Sequence, residues 1–502
     1  MKFFAFNQRS HSIEQTVSNM RSLMPMSNRR YKSGLCGWRK VYAAFLLCLA
    51  AAVVCPALTF TPLLDFHGSN GDDPEYGSLV QGTDGNFYGT TSFGGANTKG
   101  TIFKITPSGK LTSLYSFCAQ TNCTDGDFPS TGLLQGSDGN FYGVTYIGGT
   151  DANGTVYKVT PAGKLTTLHS FASTDGAHPR STLIQASNGN FYGTTNIGGA
   201  NNSGTVFEMT AAGKLTMLYS FCAQTNCADG LYPTAGLVQG TDGNFYGTTG
   251  GSDNLGGTIF KITPSGKLTT LYSFCAILDG TCIDLGSNPI PGLVQGSNGD
   301  FYGTTYFGGA NDFGIAFKIT PAGTFTTLHT FAGSDGESPI AGLTQGNDGN
   351  FYGTTESGGA YGNGTIFNIN SAGVFTSLYS LYCESLDCPD GSTPYGGLTQ
   401  STSGIFYGTT FSGHGSVFSF NEGLVAFVET RPVVGKVGAK VTILGNSLTG
   451  STSVTFNGTS ATFTVASASE ITTTVPAGAT TGTVEVETPG GTLKSNVAFR
   501  VQ

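Results

Sequence analysis

Charge is scarce in this sequence, and basic charge is scarcest. Only 11% of the 502 residues are Asp, Glu, Lys or Arg, and the net charge is −8. The stretch 1–57 holds eight of the 23 Lys and Arg but a single acid, Glu14, so the rest carries 15 basic residues against 30 acids. Those basic residues are thin everywhere and clustered nowhere, which argues against a nucleic-acid or anionic-lipid surface. Tryptophan is reduced to Trp38, and the histidines after residue 57 are five scattered ones: His67, His169, His178, His329 and His414. There is no Gly-x-Ser-x-Gly elbow and no His-x-x-Glu-His ligand pair. No acidic loop has calcium-ligand spacing. No catalytic set, metal site or cofactor is therefore expected. Sustained helical periodicity is missing after residue 58. The one sizeable apolar run, 43–55, lies in the leader and is short for a span of about 20 residues, so no transmembrane segment is expected in the mature chain.

What the sequence has in abundance is one stretch. Asp-Gly-Asn-Phe-Tyr-Gly-Thr-Thr, Asp84 to Thr91, returns six more times with little change. The Phe-Tyr-Gly triplet starts at Phe87, Phe141, Phe191, Phe245, Phe301, Phe351 and Phe406, so successive copies follow at closely similar intervals. A repeat of this length signals a propeller, solenoid or array. Each unit holds four short β-runs divided by Asp-Gly, Gly-Gly and Pro-x-Gly turns. In the second unit they are Gly132 to Gln135, Phe141 to Thr145, Thr155 to Thr160 and Leu165 onward. The last unit lacks a fourth strand, whereas Phe60 to Phe66 is a fourth strand with no unit before it. The expected fold is all-β: a seven-bladed β-propeller closed by that N-terminal strand, spanning 58–424. An open β-solenoid is the alternative.

The repeat resembles the GloVer tandem repeat family of bacterial exported proteins, on Asp-Gly-Asn-Phe-Tyr-Gly-Thr-Thr, Gly-Thr-x-Phe-Lys-Ile-Thr-Pro-x-Gly-Lys-Leu-Thr and Leu-Tyr-Ser-Phe. The resemblance covers residues 60 to 420 and implies export without implying an activity. Residues 425–502 read as a separate small immunoglobulin-like β-sandwich. That tail resembles the IPT/TIG family, through Gly438 to Gly445, Val454 to Gly458, Val475 to Gly478 and Gly482 to Thr488. The resemblance implies an extracellular spacer or interaction module.

Residues 1–57 read as a signal peptide, with Arg29, Arg30, Lys32, Arg39 and Lys40 ahead of the apolar run. The expected location is secreted or at the cell surface. Cysteine usage agrees. Cys118/Cys123, Cys222/Cys227, Cys275/Cys282 and Cys383/Cys388 all follow the fourth strand of a repeat. The repeats that carry a pair are longer than the two that do not, as expected of disulfides stapling longer loops.

In a four-stranded meander the loops after the second and fourth strands emerge on one side, opposite the tight turns. That loop side is the expected functional face. The repeated Asp-Gly acids read as turn formers, with Asn188 and Asn298 standing in at two positions. Gln81, Gln135, Gln185, Gln239, Gln295, Gln345 and Gln400 end the first strand of every unit. They form either a hydrogen-bonded ring joining the units or a polar ligand site. Residues that break the repeat are the candidate ligand contacts: His178 and Arg180 about Pro179, with Tyr76, Tyr232 and Tyr395 near the same loop position. Together they could stack on a sugar or hold a carboxylate. The function read from this is recognition of an extracellular glycan or protein ligand by a non-catalytic, monomeric protein. A polysaccharide-acting enzyme and a structural surface protein are the alternatives.

Overall fold

The computed structural model describes residues 58–74, 77–251, 256–274, 286–383 and 388–502. The leader and its expected export signal lie outside the described residues, as do Tyr76, Cys275 and Cys282.

Six of the repeats each become a four-stranded antiparallel sheet with its strands in chain order. The first sheet comprises Val80–Gln81, Phe87–Thr91, Thr101–Ile105 and Leu111–Ser116. Five sheets repeat the plan, the last of them ending at Phe375–Ser380. The next takes three strands from its own repeat, Thr399–Gln400, Phe406–Thr410 and Ser416–Asn421. Its outer strand is the N-terminal Thr59–Asp65, antiparallel, with Thr59 opposite Asn421 and Asp65 opposite Ser416. Pro62 is tolerated because this strand lies at the sheet edge, where a missing N–H breaks no ladder. The arrangement is all-β and made of propeller-like sheets.

The Phe-Tyr-Gly triplet explains how these sheets meet. Adjacent strand residues face opposite sides, so Phe looks back to the preceding sheet and Tyr forward to the next. Tyr88 stacks on Phe141, Tyr142 on Phe191, Tyr192 on Phe245, Tyr246 on Phe301 and Tyr302 on Phe351, with centroids 3.9–4.1 Å apart. Tyr352 meets Phe406 at 4.3 Å, and Tyr407 of the last sheet meets Phe87 of the first at 4.0 Å. Such pairs contribute roughly 0.5–1.5 kcal/mol each beyond their buried area. Gly follows because there is no room for more. A Cβ on Gly89 would lie 2.6 Å from Phe103 Cζ and 2.8 Å from Leu79 Cδ2.

The innermost strand is shorter than the sequence pattern suggests. Only Leu134–Gln135 pairs in the second sheet, although the apolar run begins at Gly132. Gly132 instead turns toward the neighbouring sheet, where its Cβ would come within 2.7 Å of Ser78 O. Contact between neighbouring sheets has replaced ladder pairing there.

Residues 429–501 form two further four-stranded sheets. One orders Glu429–Arg431, Lys440–Leu444, Glu470–Thr474 and Phe463–Val465. The other orders Thr459–Ser460, Ser453–Phe456, Val484–Thr488 and Gly491–Lys494. Val441, Ile443 and Ile471 of the first share one buried core with Val454, Phe456 and Val486 of the second.

Candidate functional site

The seven glutamines join neighbouring sheets. Each side-chain carbonyl accepts the backbone N–H two residues past the glutamine of the preceding sheet. The donors are Thr83 to Gln135, Ser137 to Gln185, Ser187 to Gln239, Thr241 to Gln295, Ser297 to Gln345 and Asn347 to Gln400, at 2.8–3.1 Å. Thr402 of the last sheet donates to Gln81 of the first at 3.0 Å. The side-chain amide of Gln135 turns back to Gly139 O, and that of Gln185 to Gly189 O. Of the two expectations for these residues, the hydrogen-bonded ring is what the geometry delivers. Their oxygens are occupied by protein.

The repeated acids are structural too. Asp84, Asp138, Asp242 and Asp348 each accept the hydroxyl of the motif Tyr four residues on, at 2.8–2.9 Å. Lys104 and Lys261 add salt bridges to Asp84 and Asp242 at 2.7 Å. In the third sheet both partners change together. Asn188 replaces Asp and Glu208 replaces Lys, and Tyr192 now donates to Glu208 at 2.6 Å. The Tyr192 hydroxyl is pushed up to about 12, first by burial and then by the Glu208 carboxylate.

A second set of acids anchors the loops. Asp125 is fully buried and accepts Tyr115 Oη, Ala119 N and Gln120 N. Asp229 has the equivalent partners Tyr219, Ala223 and Gln224. Where the strand carries His for Tyr, the ring nitrogen takes the same role: His169 reaches Asp175 and His329 reaches Asp335, both at 3.0 Å. Disulfides Cys118–Cys123, Cys222–Cys227 and Cys383–Cys388 close the longer loops.

On the loop side, the segments entering the innermost strands surround a cavity of about 230 Å³. Every sheet contributes, from Ser78 and Thr131 through Thr234, Ile290 and Ile340 to Gly397. Arg180 is the one charged group lining it among the described residues. Its guanidinium lies 5.2 Å from the Tyr146 ring. His178 stacks on the same ring at 4.6 Å and places Nδ1 2.9 Å from Tyr146 O. The structure thus brings His178 and Arg180 together about Tyr146, a residue the sequence reading passed over.

Tyr232 and Tyr395 lie on the loops of other sheets. Tyr232 shares the repeat position of His178, just before Pro, and both adopt positive φ, 56° and 53°. Such backbone costs about 1–3 kcal/mol in a non-glycine residue. It is held by backbone bonds, His178 N to Asn153 O and Tyr232 N to Ser203 O. Tyr395 donates to Glu356 Oε1 at 2.9 Å, and Tyr306 donates to its other oxygen at 2.7 Å. Glu356 was missed, yet a signal existed. Tyr146, Tyr306 and Glu356 all follow the second Thr of the motif, a position where the repeat varies freely. Burial and the charge of Glu356 together raise the pKa of nearby Glu337.

On the turn side, Arg431 and Arg500 line one cavity beneath the glutamines, and Arg431 and Lys440 line the adjoining cleft. Arg431 Nη1 donates to Gln135 Oε1 at 2.9 Å while its Nε binds Glu429 at 2.8 Å. The three basic residues follow no regular interval in the chain, so spacing could not reveal them.

The Gloeobacter/Verrucomicrobia repeat model matches the chain twice, at residues 118–284 and 277–466, which together cover more than half of it. The chain belongs to this repeat family. The second match runs past the last sheet of the repeat array into the C-terminal sheets, to residue 466. None of the curated proteins matches the chain. Among solved structures, the family member is similar to a structural-genomics protein of unknown function from Bacteroides thetaiotaomicron (14% identity, 73% of this chain and 76% of that one, TM-score 0.41). It is also similar to the extracellular domain of a protein from the same organism assigned as a hybrid two-component system. That likeness has 11% identity, covers 89% of this chain and 59% of that one, and has a TM-score of 0.47. A luciferin-regenerating enzyme gives 13% identity over 57% of this chain and 90% of its own, with a TM-score of 0.36. At these scores and identities the likenesses carry no argument about activity. Among the described residues no helix is long and apolar enough to cross a membrane, which says nothing about membrane β-barrels.

Proposed function

We propose that this is an exported, non-catalytic recognition protein whose seven sheets close into a β-propeller, with the ligand entering from the loop face. Closure is supported by the Thr402–Gln81 hydrogen bond and the Phe87–Tyr407 ring contact, which join the last sheet to the first. Residues 1–57 would direct export, and the disulfides suit an oxidising compartment. Residues 425–502 would serve as an immunoglobulin-like module of the IPT/TIG type that presents the propeller. The protein acts as a monomer in this reading, without metal or cofactor.

One observation carries the proposal: Arg180 lines a cavity to which all seven sheets contribute. A guanidinium held over an aromatic ring offers a fixed fork to a carboxylate. Tyr232, exposed on the next loop, adds an aromatic surface of the kind that stacks on sugars. Tyr76 and Tyr395 share the repeat position of Arg180 and belong to the same candidate set. The ligand is an extracellular glycan or a protein segment bearing an acidic group.

The test is a glycan-array screen of the purified protein, repeated with Arg180→Ala. Binding that disappears in the variant supports the site. Binding that persists places recognition elsewhere, and absence of binding favours a structural role at the cell surface.

A further inference from the structure

A second cleft, independent of Arg180, lies between the turn side of the repeat sheets and the C-terminal sheets. Its volume is about 850 Å³, within the ~300–1,000 Å³ range of small-ligand sites. Ser187 and Asn188 line one wall. The other wall is the outward face of the sheet whose inward residues, Val441, Ile443 and Ile471, fill the C-terminal core.

Strand alternation gives that wall its chemistry. Residues between the core positions face out, and here they are threonines in register. Thr442 lies opposite Thr472 and Thr472 opposite Thr464, so three hydroxyl side chains cross three strands in one row. Lys440 lies opposite Thr474 in the next row. Lys440, Thr464, Thr472 and Thr474 are all exposed, and all line the cleft. Hydroxyls both donate and accept, which matches a ligand that is itself rich in hydroxyls.

Charge narrows the class. Arg431 lines the cleft beside Lys440, and Arg500 lines the cavity that adjoins it through Arg431 and Pro432. Asp242 acts electrostatically on Arg500, and two further carboxylates of this region have partners. Glu429 binds Arg431, and Glu208 accepts from Tyr192 and Asn190. Lys440 makes no salt bridge among the described residues, and it is the accessible cation of the row. In a chain this acidic, an exposed lysine beside a row of hydroxyls favours a negative ligand.

We infer that this cleft binds a short acidic oligosaccharide, with the threonine row meeting sugar hydroxyls and Lys440 meeting a carboxylate. The experiment is calorimetric titration of the purified protein with oligogalacturonate and with an uncharged cello-oligosaccharide of equal length. Oligogalacturonate should bind and the uncharged chain should bind at least about tenfold more weakly, the ratio equivalent to ~1.4 kcal/mol. Lys440→Glu and Thr472→Val should each weaken binding about tenfold, whereas Arg180→Ala should leave it unchanged. Both variants alter exposed side chains, and unchanged thermal melts will separate binding from folding. The inference is overturned if oligogalacturonate does not bind, if both sugars bind alike, or if binding follows Arg180 rather than Lys440. The last outcome would return the ligand to the loop-side cavity and leave that proposal standing.

Discussion

Thr402 N donates to Gln81 Oε1 at 3.0 Å across 321 residues of sequence. The same bond occurs at every junction between successive sheets, so the two ends of the repeat array meet by the interaction that joins its interior. Gln81 is also among the more buried of the seven, at 7% exposure.

Replacing Gln81 should therefore cost more than replacing an exposed member of the ring. Gln81→Ala leaves the Thr402 N–H without its acceptor in a buried site, a loss of about 1–3 kcal/mol. Gln185→Ala, where water can substitute, should cost less. Chemical denaturation of both variants checks the order. Equal midpoints would show that the ring adds nothing specific at the junction of first and last sheets.

Removing residues 59–65 should destabilise the seventh sheet more than the others. Phe60 stacks on Tyr379 at 4.7 Å and on Phe418 at 4.9 Å, and the strand covers the edge of Ser416–Asn421. Its loss exposes unpaired backbone and removes these ring contacts. Hydrogen exchange should show lost protection at Val417 and Phe418 first. Unaltered exchange there would refute the latch.

The third sheet supplies a charge-swap test. Glu208→Lys alone leaves Tyr192 without its acceptor, and adding Asn188→Asp should restore the Asp–Tyr–Lys arrangement of Asp242, Tyr246 and Lys261. A double-mutant cycle should give a favourable coupling of about 0.5–3 kcal/mol. Additive effects would mean the two replacements are unrelated.

His329 predicts a pH dependence. Burial pulls its pKa below the ordinary 6.5, outweighing the attraction of Asp335. A depressed folded-state value means the unfolded chain binds the proton more readily, so stability rises with pH in that window. This contribution is complete above the unfolded value and is lost as pH falls through the folded one. His329→Tyr, which copies the Tyr115–Asp125 pair, should flatten the acid limb of the melting temperature profile. An unchanged slope between wild type and variant would remove His329 as its source.

Much of the fold was legible in sequence because its signals are local. Turn residues, strand alternation and the count of triplets each act within one repeat. They led to the four-stranded unit and the pairing of the N-terminal strand with the last unit. The bland reading of the repeated acids was also local, since an Asp-Gly turn and a Tyr four residues on belong to one hairpin.

The partners of each exception were decided only by tertiary structure. Tyr146 and Arg180 belong to different repeats, yet neighbouring loops bring them together. Glu356 is clamped by tyrosines from two other sheets. Arg431 shares one cavity with Arg500 and the adjoining cleft with Lys440 because sheet packing, not spacing, sets the C-terminal strands against the turn side. The sequence determined the repeating unit and its number, since each copy carries its own turns and apolar pattern. Which side chains share a cavity depended on how the copies pack, because those distances are set between units and no single repeat encodes them.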